Sequence, residues 1–263
     1  MFLETARTWL WNSRKVVVTT LLVYGLLQCL FYLPQQLVWW SVAIVAILGL
    51  GVWWISGLDR EWRNWIWLLL EALWILVAGV GFVAFNLLGT AAFQITALVI
   101  LAILMGILLL FERYLVEGSW PIRFFSLLDF FDLLAFFFLS ASLLMAADLY
   151  SWPLVILLVA VSAEVLLAIT LRFWREKIVS RRKWLYTILT MLVLQEVVWI
   201  TSFWHRGIFL KTFLLAMLYY IFTDFITHYL KGTLTVRVMV EYVGLVVLVL
   251  IAVFLVDWLV VLQ

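Results

Sequence analysis

What most constrains this chain is a rhythm: apolar runs of about 20 residues, the length a spanning helix needs, recur with short polar breaks between them. The runs are Val16–Leu33, Val38–Ile55, Trp65–Phe85, Ala91–Phe111, Phe124–Ala147, Trp152–Leu171, Trp184–Phe203, Phe209–Thr227 and Val238–Val260. A helix of that length rises about 30 Å, which matches the hydrocarbon core of a bilayer. It also satisfies its backbone hydrogen bonds within one segment, as a lipid-embedded chain must. The alternating ten-residue segments of a barrel are absent from the sequence. The pattern predicts an all-α fold, a polytopic transmembrane helix bundle of about nine spans. It forms one integral membrane domain over residues 1–263, with no soluble domain.

Composition agrees. Charged residues make up 12% of the chain and hydrophobic ones 68%, where soluble domains carry roughly 25% charged residues on their wetted surfaces. A net charge of +2 is too small for a nucleic-acid partner. One cysteine, Cys29, and two histidines, His205 and His228, provide neither a disulfide nor a Cys/His metal cluster. The first apolar run lacks a small-residue cleavage site after it, so it is expected to be a retained helix. Pro34, Pro121 and Pro153 fall at predicted helix ends, where a missing N–H costs least.

Lysine and arginine set the orientation. With a cytoplasmic N-terminus, the inner segments hold Arg7, Arg14, Lys15, Arg60, Arg63, Arg113, Arg123, Arg172, Arg175, Lys177, Arg181, Arg182, Lys183, Lys231 and Arg237. The outer ones hold only Arg206 and Lys211 of the 17. That asymmetry is the positive-inside pattern and places the C-terminus outside. Tryptophans 39, 40, 53, 54, 62, 65, 120, 152, 174, 184, 204 and 258 lie near predicted interfaces, where an amphipathic ring is most stable. The partners expected are the lipid bilayer itself and anionic lipid headgroups at the basic segment Arg172 to Lys183. An acidic membrane-protein partner or a homo-oligomer stands beside them.

The spans also contain acids: Glu71, Asp129, Asp132, Glu164, Glu196, Asp224 and Glu241. At mid-bilayer a charge costs about 2.5–3.5 kcal/mol on insertion scales, so these groups should face protein, pair with cations or lie near an interface. In the sixth span Ala160, Glu164, Ala168 and Arg172 share a face by their spacing of four, and Arg172 is placed for an indirect pairing with Glu164. In the eighth, Ala216, Tyr220, Asp224 and His228 repeat the device, with Asp224 placed to stabilise a His228 imidazolium. Asp129, Asp132, Ala135, Ser142 and Ala146 make a small, polar side of the fifth span. Glu241, Gly244, Leu248 and Ala252 suggest a packing stripe on the ninth. Glu196 shares its face with Trp199 and Phe203 and is expected to meet protein.

Catalytic signals are poor. The sequence has no His-Glu-x-x-His helix, no phosphate-binding glycine loop and no glycine-flanked serine turn. Neither a catalytic residue, a cofactor nor a metal is expected. The candidate intramembrane polar network is Glu71, Asp129, Asp132, Glu164, Glu196, Asp224, His228 and Glu241.

From the seventh span onward the chain resembles an uncharacterised family of polytopic membrane proteins from bacteria with very small genomes. Ser202-Phe203-Trp204, Tyr219 or Tyr220, and Glu241-Tyr242 carry that resemblance, which implies a fold and no activity. Two functional readings follow. In one, the acids tie helices together in a non-catalytic inner-membrane scaffold or accessory subunit. In the other, Glu196 and the acids gathered toward the cytoplasmic side line the path of a small proton- or cation-coupled secondary transporter.

Overall fold

The body of each of the nine apolar runs is helical in the computed structural model, which describes residues 2–32, 34–56, 62–85, 91–117, 125–204 and 207–261; Trp152 and Pro153 precede their helix and Phe203 follows its own. In chain order the helices are α1 (Phe2–Tyr32), α2 (Leu37–Ser56), α3 (Trp62–Phe85), α4 (Ala91–Glu117), α5 (Phe125–Leu149), α6 (Leu154–Arg175), α7 (Lys183–Ser202), α8 (Ile208–Lys231) and α9 (Val236–Val261). No strand occurs among the described residues. Six helices (α2, α3, α5, α6, α7 and α8) hold segments long and apolar enough to cross a membrane. The apolar stretches of α1, α4 and α9 run beyond the residues whose side chains are described. Leu33, Arg60, Trp120, Pro121, Arg123, Phe124, His205, Arg206 and Gln263 lie outside the described residues. So do the side chains of Arg7, Trp62, Arg63, Arg113, Ala252, Asp257 and Trp258.

The chain divides into two compact units, Met1–Ala135 and Phe136–Gln263. In the first, α1 packs on α2 and α4, α2 on α3, and α3 on α4. Close approach is the device here. A Cβ at Gly51 of α2 would collide with Cγ2 of Thr19 on α1, and one at Gly79 of α3 would collide with Cδ1 of Leu101 on α4. Small residues let helix backbones approach in this way. Two hydrogen bonds brace the crossings: Lys15 Nζ donates to the Trp54 carbonyl at 3.0 Å, and Trp65 Nε1 donates to the Gly49 carbonyl at 3.2 Å.

In the second unit α6 packs on α7, α7 on α8 and α8 on α9, and α6 also touches α8. The inward face of α7 is Thr187, Thr190, Leu194, Val198 and Thr201, spaced three or four apart as one helical face requires. The three threonine hydroxyls donate to carbonyls four residues back at 2.8–2.9 Å, which leaves their methyl groups for packing. On α8 the buried line is Ala216, Tyr219, Thr223 and Thr227, while Tyr220, Asp224 and His228 are half-buried. The face expected from Ala216 and Asp224 is thus turned by about one residue. Phe136 of α5 explains the turn by stacking on Tyr219, with centroids 4.0 Å apart and planes at 5°.

The stripe expected on α9 is not a packing face within this unit. Glu241, Gly244 and Leu248 are exposed, and a Cβ at Gly244 would meet nothing. Instead Tyr242, Val246 and Val249 meet Leu214, Met217 and Ile221 of α8. Bulky apolar residues one position along the helix outweigh the small ones.

Three helices of this unit close alike. Ser151, Lys177 and Gly232 adopt left-handed φ values of 50°, 53° and 69°. The N–H after each reaches back to a helix carbonyl: Trp152 to Ala147 at 2.9 Å, Ile178 to Phe173 at 3.0 Å and Thr233 to His228 at 3.0 Å. These are Schellman closures, two of them built without glycine. Pro34 opens a short 3-10 turn before α2, and Pro153 precedes α6 at φ −55°.

The glycine contacts are testable. Gly51→Ala should destabilise the protein by about 1–3 kcal/mol through overpacking, because it crowds the short, β-branched Thr19, whose hydroxyl is held by the Lys15 carbonyl. Gly79→Ala should cost less, since the Leu101 tip can rotate. Gly25→Ala, where a Cβ meets open space, should be neutral or stabilising by up to about 1 kcal/mol. Thermal unfolding of the three variants in detergent gives the order.

Candidate functional site

The densest polar cluster among the described residues is assembled by α6, α8 and α9. Arg172 lies in the last turn of α6 with its side chain 2% exposed. Its Nη1 donates to Thr223 Oγ1 at 3.1 Å, and its Nη2 donates to Asp224 Oδ1 at 2.5 Å. The other Asp224 oxygen accepts the hydroxyl of Tyr242 from α9. Thr223 passes its own proton to the Tyr219 carbonyl at 2.7 Å, leaving its oxygen free to accept from the guanidinium. The Tyr220 ring stands 5.9 Å from that guanidinium, within cation–π range. A charge-assisted hydrogen bond is roughly twice as strong as a neutral one. Truncating one partner of a buried pair leaves the other charge uncompensated.

Two further ion pairs flank this cluster at the same helix ends. Lys231, last in α8, pairs with Glu176 just beyond α6 at 2.5 Å. Arg237 and Glu241 pair along the exposed side of α9 at 3.1 Å. Arg175 is buried as well.

Deeper along α6, Glu164 is 3% exposed and accepts the Ser140 hydroxyl of α5 on Oε1 at 2.7 Å. Its Oε2 meets no hydrogen-bond partner among the described residues. On the neighbouring face Gln195 of α7 donates to Ser162 of α6. These contacts fasten α6 to α5 and to α7.

The predicted network is therefore divided. Asp224 meets Arg172 directly, whereas Glu164 bonds to Ser140. The indirect Arg172–Glu164 pairing and the Asp224–His228 pairing are replaced by these partners. His228 Nδ1 instead lies 2.9 Å from Thr233 Oγ1 at the end of α8. Glu241 stays with Arg237 on an exposed face. Glu196 is exposed along with Trp199 and Phe203, whose rings meet edge to face at 5.7 Å. The protein contact expected for Glu196 is not among those described. Glu71 and Asp132 are buried and Asp129 half-buried, all three in the first unit.

Sequence reasoning missed Tyr242 as a ligand of Asp224, and it missed Ser140, Thr223 and the Gln195–Ser162 bond. Hydroxyl residues at helical spacing on α7 and α8 were the available signal. Among the described residues no three His, Cys, Asp or Glu side chains gather where a metal ion could sit. What the Arg172 cluster does chemically is fix three helices. No protein family, curated protein or solved structure matches this chain.

Arg172→Gln should cost about 3–5 kcal/mol of stability, the usual consequence of breaking a buried pair on one side. Tyr242→Phe removes one hydrogen bond to a charged group and should cost about 1.5–3 kcal/mol. Unfolding of both variants in mixed micelles checks the order. An Arg172→Gln protein as stable as the parent would refute the pairing.

Proposed function

We propose that this chain is a multipass inner-membrane protein without a catalytic centre, acting as a scaffold or accessory subunit. The observation that carries this reading is the pairing of Arg172 with Asp224 and Tyr242. The strongest charges in the second unit are spent on holding helices to one another. A transport path would instead need a carboxylate free to exchange its cation or proton. In this reading the chain crosses the bilayer nine times, with the N-terminus cytoplasmic and the C-terminus outside, as the asymmetry of its lysines and arginines implies. Its partners are lipid and either another membrane protein or a second copy of the chain. The resemblance of its last third to small-genome bacterial membrane proteins supports a bacterial inner membrane.

One observation favours the second reading, a small proton- or cation-coupled transporter. Glu164 is buried, distant from the basic ends, and has an oxygen without a hydrogen-bond partner among the described residues. Flux assays distinguish the two. The scaffold reading predicts no proton or alkali-cation flux above background in liposomes containing the wild type. Flux present in the wild type and lost in a folded Glu164→Gln variant would establish the transporter.

Topology is tested separately. With Cys29→Ser as background, Ser180→Cys should react with a membrane-impermeant maleimide only after permeabilisation. Labelling in intact cells would reverse the orientation.

A further inference from the structure

The stretch from Arg172 to Lys183, which runs from the last turn of α6 to the first residue of α7, carries six cations, and the structure separates them into two groups. Arg172 and Arg175 are buried, and Arg172 belongs to the contacts between helices. Lys177, Arg181 and Arg182 are exposed, and Lys183 is half-exposed beside the Trp184 ring. The one acid of the turn, Glu176, is engaged by Lys231 and is only 13% exposed. It therefore does little to offset the outward cations.

The turn is also ordered rather than a loose basic strand. The Schellman closure puts Lys177 at φ 53° and draws Ile178 inward until it is 8% exposed. Chain direction then reverses, and Val179 stands out at 92% exposed. The N–H groups of Arg182 and Lys183 return to the Ser180 hydroxyl and carbonyl at 3.2 Å each, which starts α7. Trp184 and Leu185, the next residues, are exposed at 53% and 64%.

Outward cations thus alternate with outward apolar groups on one short turn. A water-facing site for an acidic protein segment gains nothing from the exposed Val179, Trp184 and Leu185. A membrane interface accommodates both, with ammonium and guanidinium groups at phosphate level and aromatic or aliphatic groups just below.

We propose that this turn is a docking surface for anionic phospholipid headgroups, with Lys177, Arg181 and Arg182 meeting the phosphates and Val179 entering the interface. The inference deepens the membrane reading above and rests on it. It assigns the lipid contact to three residues and withholds it from Arg172 and Arg175.

The test uses the full-length protein in a neutral detergent, titrated with phosphatidylglycerol or phosphatidylcholine, with bound lipid read by native mass spectrometry. The wild type should prefer phosphatidylglycerol. In the series Lys177→Gly, Arg181→Gln and Arg182→Gln, that preference should fall about fivefold per cation removed at low salt. Phosphatidylcholine binding should not change. Glycine at 177 suits the left-handed turn, so the fold is kept, and an unchanged melting temperature verifies it. Arg237→Gln, an exposed cation on α9, should leave the preference intact. Full preference in the triple variant would overturn the proposal. So would displacement of the lipid by inorganic phosphate, or a glutamate-rich peptide binding in its place. Failure of the membrane reading itself has a different signature, a wild-type chain that stays monodisperse without detergent.

Discussion

A guanidinium withdrawn from water keeps its place only while its counter-charge is also held, and Arg172 meets that condition through two other helices. Asp224 of α8 accepts from it, and Tyr242 of α9 occupies the second carboxylate oxygen. The position of each partner follows from local features. Arg172 sits in the last turn of α6, where a cation also favours the helix dipole. Asp224 is seven residues before the end of α8, and Tyr242 is six after the start of α9. Antiparallel succession brings these three levels together. Lys231 and Glu176 add an outer tie at the same end, so the turns leaving α6 and α8 are fastened side by side.

The first unit relies on a different interaction. Its helices come close at Gly51 and Gly79, where no Cβ could fit without displacing Thr19 or Leu101. Dispersion between tightly apposed surfaces is the available force where lipid removes the hydrophobic drive between helices. The Lys15 ammonium lies 5.5 Å from the Trp54 ring centroid and donates to that residue's carbonyl, so it caps α2 and serves an interfacial aromatic at once. Close approach and polar fastening are thus two solutions to the same problem of holding helices together.

How much of this could be read from the sequence depends on the range of the signal. Helix positions were legible because twenty apolar residues in succession have one stable backbone solution in lipid. Glu164, Ala168 and Arg172 are buried as their spacing of four suggests, while Ala160 at the start of that stripe is half-buried. Partner choice was not legible. Nothing local to Asp224 distinguishes Arg172, 52 residues earlier, from His228, four residues later, and only the crossing of α6 and α8 decides. The orientation of α9 was misjudged for a related reason: Gly244 suggested a close contact, but Tyr242 and Val246 had the bulk to fill the groove beside α8. The left-handed closures at Ser151 and Lys177 escaped notice because neither residue is the glycine such a turn usually announces. Among the candidate acids, Asp224 meets Arg172, Glu164 meets Ser140 and Glu241 meets Arg237, while Glu196 lies on an outward face.

In the proposed scaffold, the polar groups inside the bundle set which helices lie together, while the exposed faces of α7 and α9 and the basic turn meet lipid or partner. The central claim is that Arg172 and Asp224 act as one structural unit. A double-mutant cycle measures it directly, with Arg172→Met, Asp224→Leu and both together unfolded under identical micelle conditions. The account predicts a coupling of about 1.5–3 kcal/mol, with the double variant losing that much less stability than the two single losses added together. Strictly additive losses would contradict it.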